Sequence, residues 1–200
     1  MAIRGALSYA RAFTTIDYTR TEEHVSQLSK LSLSIAVLGA VATWLFLTVG
    51  GVLIWAAFIG WGCYFHNGGN NDALKTTIIN NVFGSLCAWV AALIILGIPL
   101  AAQLTLPVWA AIGVGVMVWV LCMAANVKAL SSIPSGVYGF AATFAFLLQT
   151  PDKLSIPALT SPSLSNGFIV VAVSMAIGAI FGFASNKLAS MMPSAAAKAA

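Results

Sequence analysis

The sequence predicts an all-α integral membrane protein with six transmembrane helices. Three observations carry that expectation: extreme apolarity, apolar runs that are continuous rather than alternating, and basic residues confined to one side. Of 200 residues, 60% are apolar and 7% are charged, against roughly 45–50% and about 25% in an ordinary soluble chain. Nine Lys or Arg and five Asp or Glu are too few to cover a soluble surface of this size. The same richness in apolar residues excludes a disordered chain. In lipid, only helices and closed barrels satisfy their own backbone. Barrel strands alternate apolar and polar residues, and these runs do not.

A helix crosses the hydrocarbon core in about 20 residues. The first run extends from Leu31 to Val49 and ends at Gly50-Gly51. The second, from Val52 to Phe65, is short, so a hairpin at the glycine pair that does not fully span is the main alternative. The third runs from about Thr76 to Gly97 and stops before Pro99. The fourth runs from about Pro107 to Ala125, with its proline in the first turn, where a missing N–H costs nothing. The fifth, about Pro134 to Leu148, is again short, and the sixth runs from about Gly167 to Ala189. Short spans tilt less, extend into their flanks or thin the bilayer. Residues 31–190 thus form the transmembrane domain, flanked by an arm over 1–30 and a tail over 191–200.

Charge placement supports the six-span count. With the N-terminus cytoplasmic, Arg4, Arg11, Arg20, Lys30, Lys75, Lys128, Lys187 and Lys198 fall inside, and Lys153 alone falls outside. This split obeys the positive-inside rule, and a five- or seven-span count breaks it. Both termini are therefore expected in the cytoplasm. Basic residues spread in this way mark orientation, not nucleic-acid binding.

The flanks and loops are polar. In the arm, Ile3, Leu7, Tyr9 and Phe13 interleave with Arg4 and Arg11, which suits a helix in the headgroup layer, a solvated tail or a partner-binding arm. Thr19 and Glu22 have capping-box spacing. Ser194 to Lys198 reads as a frayed end. His66-Asn67-Gly68-Gly69-Asn70-Asn71-Asp72 reads as a sharp turn, or as backbone open to a ligand. The segment from Thr150 to Asn166 holds three prolines and four serines and reads as irregular backbone at the outer surface.

A weak repeat runs through the chain. Ile54-Trp55-Ala56-Ala57 matches Val108-Trp109-Ala110-Ala111, and Phe83-Gly84 matches Tyr138-Gly139 at nearly the same offset. Asn186-Lys187-Leu188-Ala189 echoes Asn126-Val127-Lys128-Ala129. Two or three parallel-repeat helix pairs would produce this pattern, and so would chance similarity between apolar segments.

Apart from Lys187 in the last turn of the sixth, the expected spans contain no Asp, Glu, Lys or Arg. Ion coupling, proton relays and voltage sensing ordinarily use intramembrane charges, so those classes are disfavoured. No phosphate loop, metal-ligand cluster, cofactor motif or nucleophile–base pair is recognisable, and no enzyme or cofactor is expected. Cys63, Cys87 and Cys122 read as reduced, buried small hydrophobes. What remains is neutral polar chemistry. Asn80, Asn81 and Ser85 in the third span either line a narrow pore or bond a neighbouring helix. His66 is either a gate or a satisfied interfacial histidine. Among six tryptophans, Trp61, Trp89 and Trp119 fall deep in the runs, where they form a constriction, contact a pigment or lipid, pack between subunits, or serve as ordinary packing. Gly178-x-x-x-Gly182, Ala36-x-x-x-Ala40, Gly136-x-x-Gly139 and Gly113-x-Gly115 are spaced for close helix contact.

The stretch Trp55-x-x-Phe58-x-x-Trp61-x-x-Tyr64-Phe65, then Gly68-Gly69, then Asn81-x-x-Gly84-x-x-x-Ala88-Trp89 resembles the small bacterial inner-membrane proteins of domain-of-unknown-function family 1097. The resemblance covers about residues 33–148 and, more loosely, the last span. It implies a polytopic inner-membrane protein and carries no activity or site residues. In size and neutral polar interior the chain also resembles acid-gated urea and amide channels, by analogy of architecture alone.

Two functions are expected from these readings. One is a passive oligomeric channel or facilitator for a small neutral solute of the urea, amide, ammonia, carbon dioxide or water class. Its pore candidates are Asn80, Asn81, Ser85, His66, Trp61 and Trp89. The other is a structural or accessory subunit of a larger membrane complex, held through the arm and the tightly packed helices.

Overall fold

The computed structural model describes residues 27–193. The arm contacts, the capping box at Thr19 and Glu22, and the tail from Ser194 lie outside the described residues. Those described form helices, turns and loops, with no strand among them. They are α1 (Gln27–Val49), α2 (Ile54–His66), α3 (Asn71–Gly97), α4 (Ala101–Leu104), α5 (Leu106–Met123), α6 (Ile133–Gln149), α7 (Ile156–Leu159) and α8 (Gly167–Met191). Two single 3₁₀ turns, Ala124–Asn126 and Lys128–Leu130, join α5 to α6. Four helices are long and apolar enough to cross a membrane: α1, α3, the α5 segment extended to Asn126, and α8. The protein is a helical membrane protein. The 17 residues of α6 rise about 25 Å and the 13 of α2 about 20 Å.

Local chemistry sets the boundaries. Gly50 and Gly51, at φ +71° and +74°, turn the chain from α1 into α2. The Asn70 side chain caps α3 by accepting from Ala73 N–H at 2.8 Å. That cap starts the helix at Asn71, five residues before the expected Thr76, so the polar first turn belongs to it. Pro107 and Pro134 lie in the first turns of α5 and α6.

The chain divides into two compact units. The smaller takes the described residues up to Gly39 and from Ser185 onward. There Ser34 Oγ donates to the Ser185 carbonyl at 2.6 Å. The larger is Ala40–Ala184, and two helix crossings hold it.

In the first crossing, α3 packs along α6. A methyl group at Gly84 would strike the Gly136 carbonyl, and one at Gly139 would strike the Asn81 carbonyl. In the second, α2 packs along α8. Gly60 lies against the Met175 carbonyl and Gly178 against the Ala57 carbonyl. Each crossing is reciprocal, with the glycine three residues beyond the carbonyl on both helices. This is the close approach that small residues permit in lipid, where backbone and C–H contacts replace the hydrophobic drive.

Contacts ascend together along each pair, so both pairs are parallel. Ser85 meets Thr143, and further along both helices Ala92 packs with Phe146 and Leu147. Leu53 N–H donates to Ser174 Oγ at 2.9 Å, while Trp61 and Tyr64 flank Gly182.

Several expectations need correction. Trp119 does not pack within the chain: it is 64% exposed on the face of α5 that also turns Val108, Ile112 and Val116 outward. Ala36 and Ala40 are exposed rather than packed, and a methyl group at Gly115 would meet open space. The segment from Thr150 to Asn166 is not simply irregular surface. It carries α7, whose Leu159 is fully buried against Phe146, Val171 and Met175. Trp89 Nε1–H and Asn166 Nδ2–H both donate to the Leu159 carbonyl, at 2.8 and 2.7 Å.

Candidate functional site

Every buried polar side chain among the described residues is neutral. Six of these ten lie on α3 and α6, and four of the six (Thr77, Asn80, Asn81 and Ser135) near the starts of those helices. Asn67, just past α2, is the hub. Its Nδ2 donates to Thr77 Oγ1 at 2.7 Å and Ser135 Oγ at 2.9 Å, and its Oδ1 accepts from Ser132 Oγ at 2.9 Å. The two serine hydroxyls are 2.7 Å apart. Cys63 Sγ lies 3.2 Å from Ser135 Oγ and 3.4 Å from Asn81 Oδ1. One residue from each of three helices (Cys63, Asn81 and Ser135) thus meets at a point sealed from solvent.

Helical spacing builds this cluster. Residues four apart share a face. Cys63 and Asn67 lie four apart on the first strip, Thr77, Asn81 and Ser85 on the second, and Ser135, Gly139 and Thr143 on the third. Gly139 lets α6 close onto the Asn81 backbone. Deeper, Ser85 and Thr143 share a short hydrogen bond, and Thr143 Oγ1 also donates to the Gly139 carbonyl at 2.9 Å. From Thr77 to Ser85 the polar track covers about 12 Å. It stops at apolar packing formed by Ala88, Ala92, Phe146 and Leu159.

The pore candidates separate on this geometry. Asn81 and Ser85 lie on the track. Asn80 lies beside it, its Nδ2 donating to the Thr76 carbonyl at 2.8 Å and the Ala129 carbonyl at 3.1 Å, which ties α3 to the turn before α6. His66 is exposed, with Nδ1 3.0 Å from the Tyr138 hydroxyl. Trp61 sits two residues from Cys63, roughly 200° around α2, against Phe58 and Phe181. Trp89 packs on Phe168 and holds α7 beyond the track's apolar end.

Sequence reasoning missed Cys63 as a polar participant, together with Asn67, Thr77, Ser132, Ser135 and Thr143 as one group. The i, i+4 strips were the available signal. Among the described residues, no group of three or more His, Cys, Asp or Glu could hold a metal ion. All three cysteines are free. The arrangement can donate and accept neutral hydrogen bonds in a dry setting. It offers no charged group for proton or ion coupling.

These features define a polytopic α-helical membrane protein with a neutral polar interior. The chain belongs to the family described as "Protein of unknown function (DUF1097)", whose profile matches residues 32–190. Comparison with curated proteins gives no match, and comparison with solved structures gives none.

Proposed function

We propose that this protein is a passive, oligomeric channel or facilitator for a small neutral solute in the bacterial inner membrane. Urea, short amides, ammonia, carbon dioxide and water form the candidate class. The observation that carries the reading is the track Thr77–Asn81–Ser85–Thr143, buried between α2, α3 and α6 and free of charge. A solute carrying no charge needs neutral donors and acceptors and no coupling ion. In this conformation the track ends at Leu159 and Phe146, so conduction requires the α7 segment to move.

Six crossings with both termini cytoplasmic complete the proposal. The parallel α3–α6 and α2–α8 pairs support that count, because an intervening helix must return the chain each time. The eight-to-one division of basic residues supports the orientation.

Stopped-flow light scattering on proteoliposomes tests the channel with water, urea, formamide, acetamide and glycerol. Permeability above that of empty liposomes for one solute is expected. Asn81→Leu is expected to lower that permeability without dissociating the oligomer, and unchanged flux would overturn Asn81 as a pore residue.

One observation favours the second reading, an accessory subunit. The apolar faces of α1 and α5 lie open, with Trp44 67% and Trp119 64% exposed, a surface that suits lipid or a partner's helices. That reading expects a partner to survive mild solubilisation and to be lost when residues 1–30 are deleted.

A further inference from the structure

We infer that the Asn81 amide forms a buried donor site for a single oxygen acceptor, either a water molecule or the carbonyl of a small amide such as urea. Asn81 is 1% exposed, and its Nδ2 is the buried side-chain nitrogen or oxygen without a hydrogen-bond partner among the described residues. Buried polar atoms in native proteins are nearly all paired, because an unpaired one forfeits its hydration without return.

The proton inventory of the cluster shows what is missing. Ser132 gives its proton to Asn67 Oδ1, so Ser135 gives its own to Ser132. The two protons of Asn67 Nδ2 go to Thr77 and Ser135. The Cys63 thiol lies within reach of Ser135 Oγ at 3.2 Å and Asn81 Oδ1 at 3.4 Å, and either oxygen accepts its proton. In this assignment every proton of Asn67, Ser132, Ser135 and Cys63 has an acceptor, and two N–H bonds on Asn81 remain over. The ligand must therefore supply a lone pair to Asn81 Nδ2. A water or carbonyl oxygen in line with one of these N–H bonds accepts it. Carbon dioxide is a poor acceptor and does not meet that need. The site thus favours water and carbonyl compounds over carbon dioxide, and it rests on the channel reading only for the claim that the ligand moves through.

Magic-angle-spinning NMR on the full chain in lipid, with asparagine labelled by nitrogen-15, tests the site. Asn81→Gln identifies the side-chain signal, and sequential backbone correlations assign it independently should that variant fail to fold. With carbon-13 urea added, a nitrogen–carbon correlation at Asn81 is expected if the ligand is a carbonyl. A correlation to water protons alone, unaffected by urea, supports the site with water as its occupant. Neither correlation would overturn it. Proteoliposome flux on the same preparation separates the two claims. Correlation without flux removes the channel and leaves the site, whereas flux without correlation removes the site and leaves the channel.

Discussion

Asn67 shows how one side chain holds three elements together. Its amide reaches Thr77 of α3, Ser132 before α6 and Ser135 within it. Asn67→Ala leaves those three hydroxyls with fewer partners in a dry site, and each stranded group costs about 1–3 kcal/mol. We therefore expect Asn67→Ala to destabilise the fold by about 2–3 kcal/mol, read by denaturant or steric-trap unfolding in bicelles. An effect within error of wild type would show that the hub is dispensable. The Ser85–Thr143 bond has a softer expectation, because the unfolded chain in lipid finds alternative partners. A double-mutant cycle of Ser85→Ala and Thr143→Ala is expected to give a coupling of about 0.6 kcal/mol, with about 1.7 as its ceiling. At this scale the sequence was only partly legible. Asn81 and Ser85 stand out as polar residues inside an apolar run. Asn67 and Ser132 look like ordinary turn formers, and Cys63 like a small hydrophobe. Their shared site depends on contacts between residues 65 or more positions apart, such as Asn67 with Ser132. Local pattern carries no record of such a meeting, although the three i, i+4 strips narrow where it can occur.

Helix positions were far more legible, because a lipid-spanning helix needs a continuous apolar run and little else. The expected run Val52 to Phe65 became Ile54–His66, and Pro134 to Leu148 became Ile133–Gln149. Which face of a helix turns inward was not legible where the helix is apolar all round, so the outward face of Trp119 could not be read from the sequence. The α7 turn was hidden as well, since its anchors, Trp89 and Asn166, act on a backbone carbonyl rather than through any motif. Glycine spacing reports packing in part: Gly136, Gly139, Gly178 and Gly182 lie against neighbouring helices, whereas Gly115 meets open space. Gly60 and Gly84 face backbone carbonyls that a methyl group would strike, whereas Gly62 in α2 faces open space. Gly84→Ala is expected to part α3 from α6 and cost about 1–3 kcal/mol. Gly62→Ala is expected to be neutral or to gain up to about 1 kcal/mol through helix propensity. Unfolding of the two variants side by side checks the contrast, and equal effects would remove the close crossings as the source of stability.

Across the whole molecule, the crossing pairs constrain how the chain threads the bilayer. The turn from Asn67 to Asn70 joins α2 directly to α3, so the end of α2 lies at the face where α3 begins. The start of α6 lies at that same face, because Ser132 and Ser135 bond Asn67 there. Since α3 has carried the chain away from this face, α5 must carry it back. Helix α6 then leaves again, parallel to α3, and delivers Thr150–Asn166 to the opposite side. The turn holding Asp72 and the loop holding Ser163 are therefore expected on opposite sides of the membrane, with Ser163 outside by the charge rule. Both residues are exposed, so each accepts a cysteine without disturbing the core. Membrane-impermeant maleimide applied to intact cells is expected to label Ser163→Cys and to spare Asp72→Cys until the membrane is opened. The parent chain, whose Cys63 and Cys87 are buried, serves as the background. Labelling of both sites from one side would rule out six crossings, and labelling of Asp72→Cys alone would keep the threading and invert the protein.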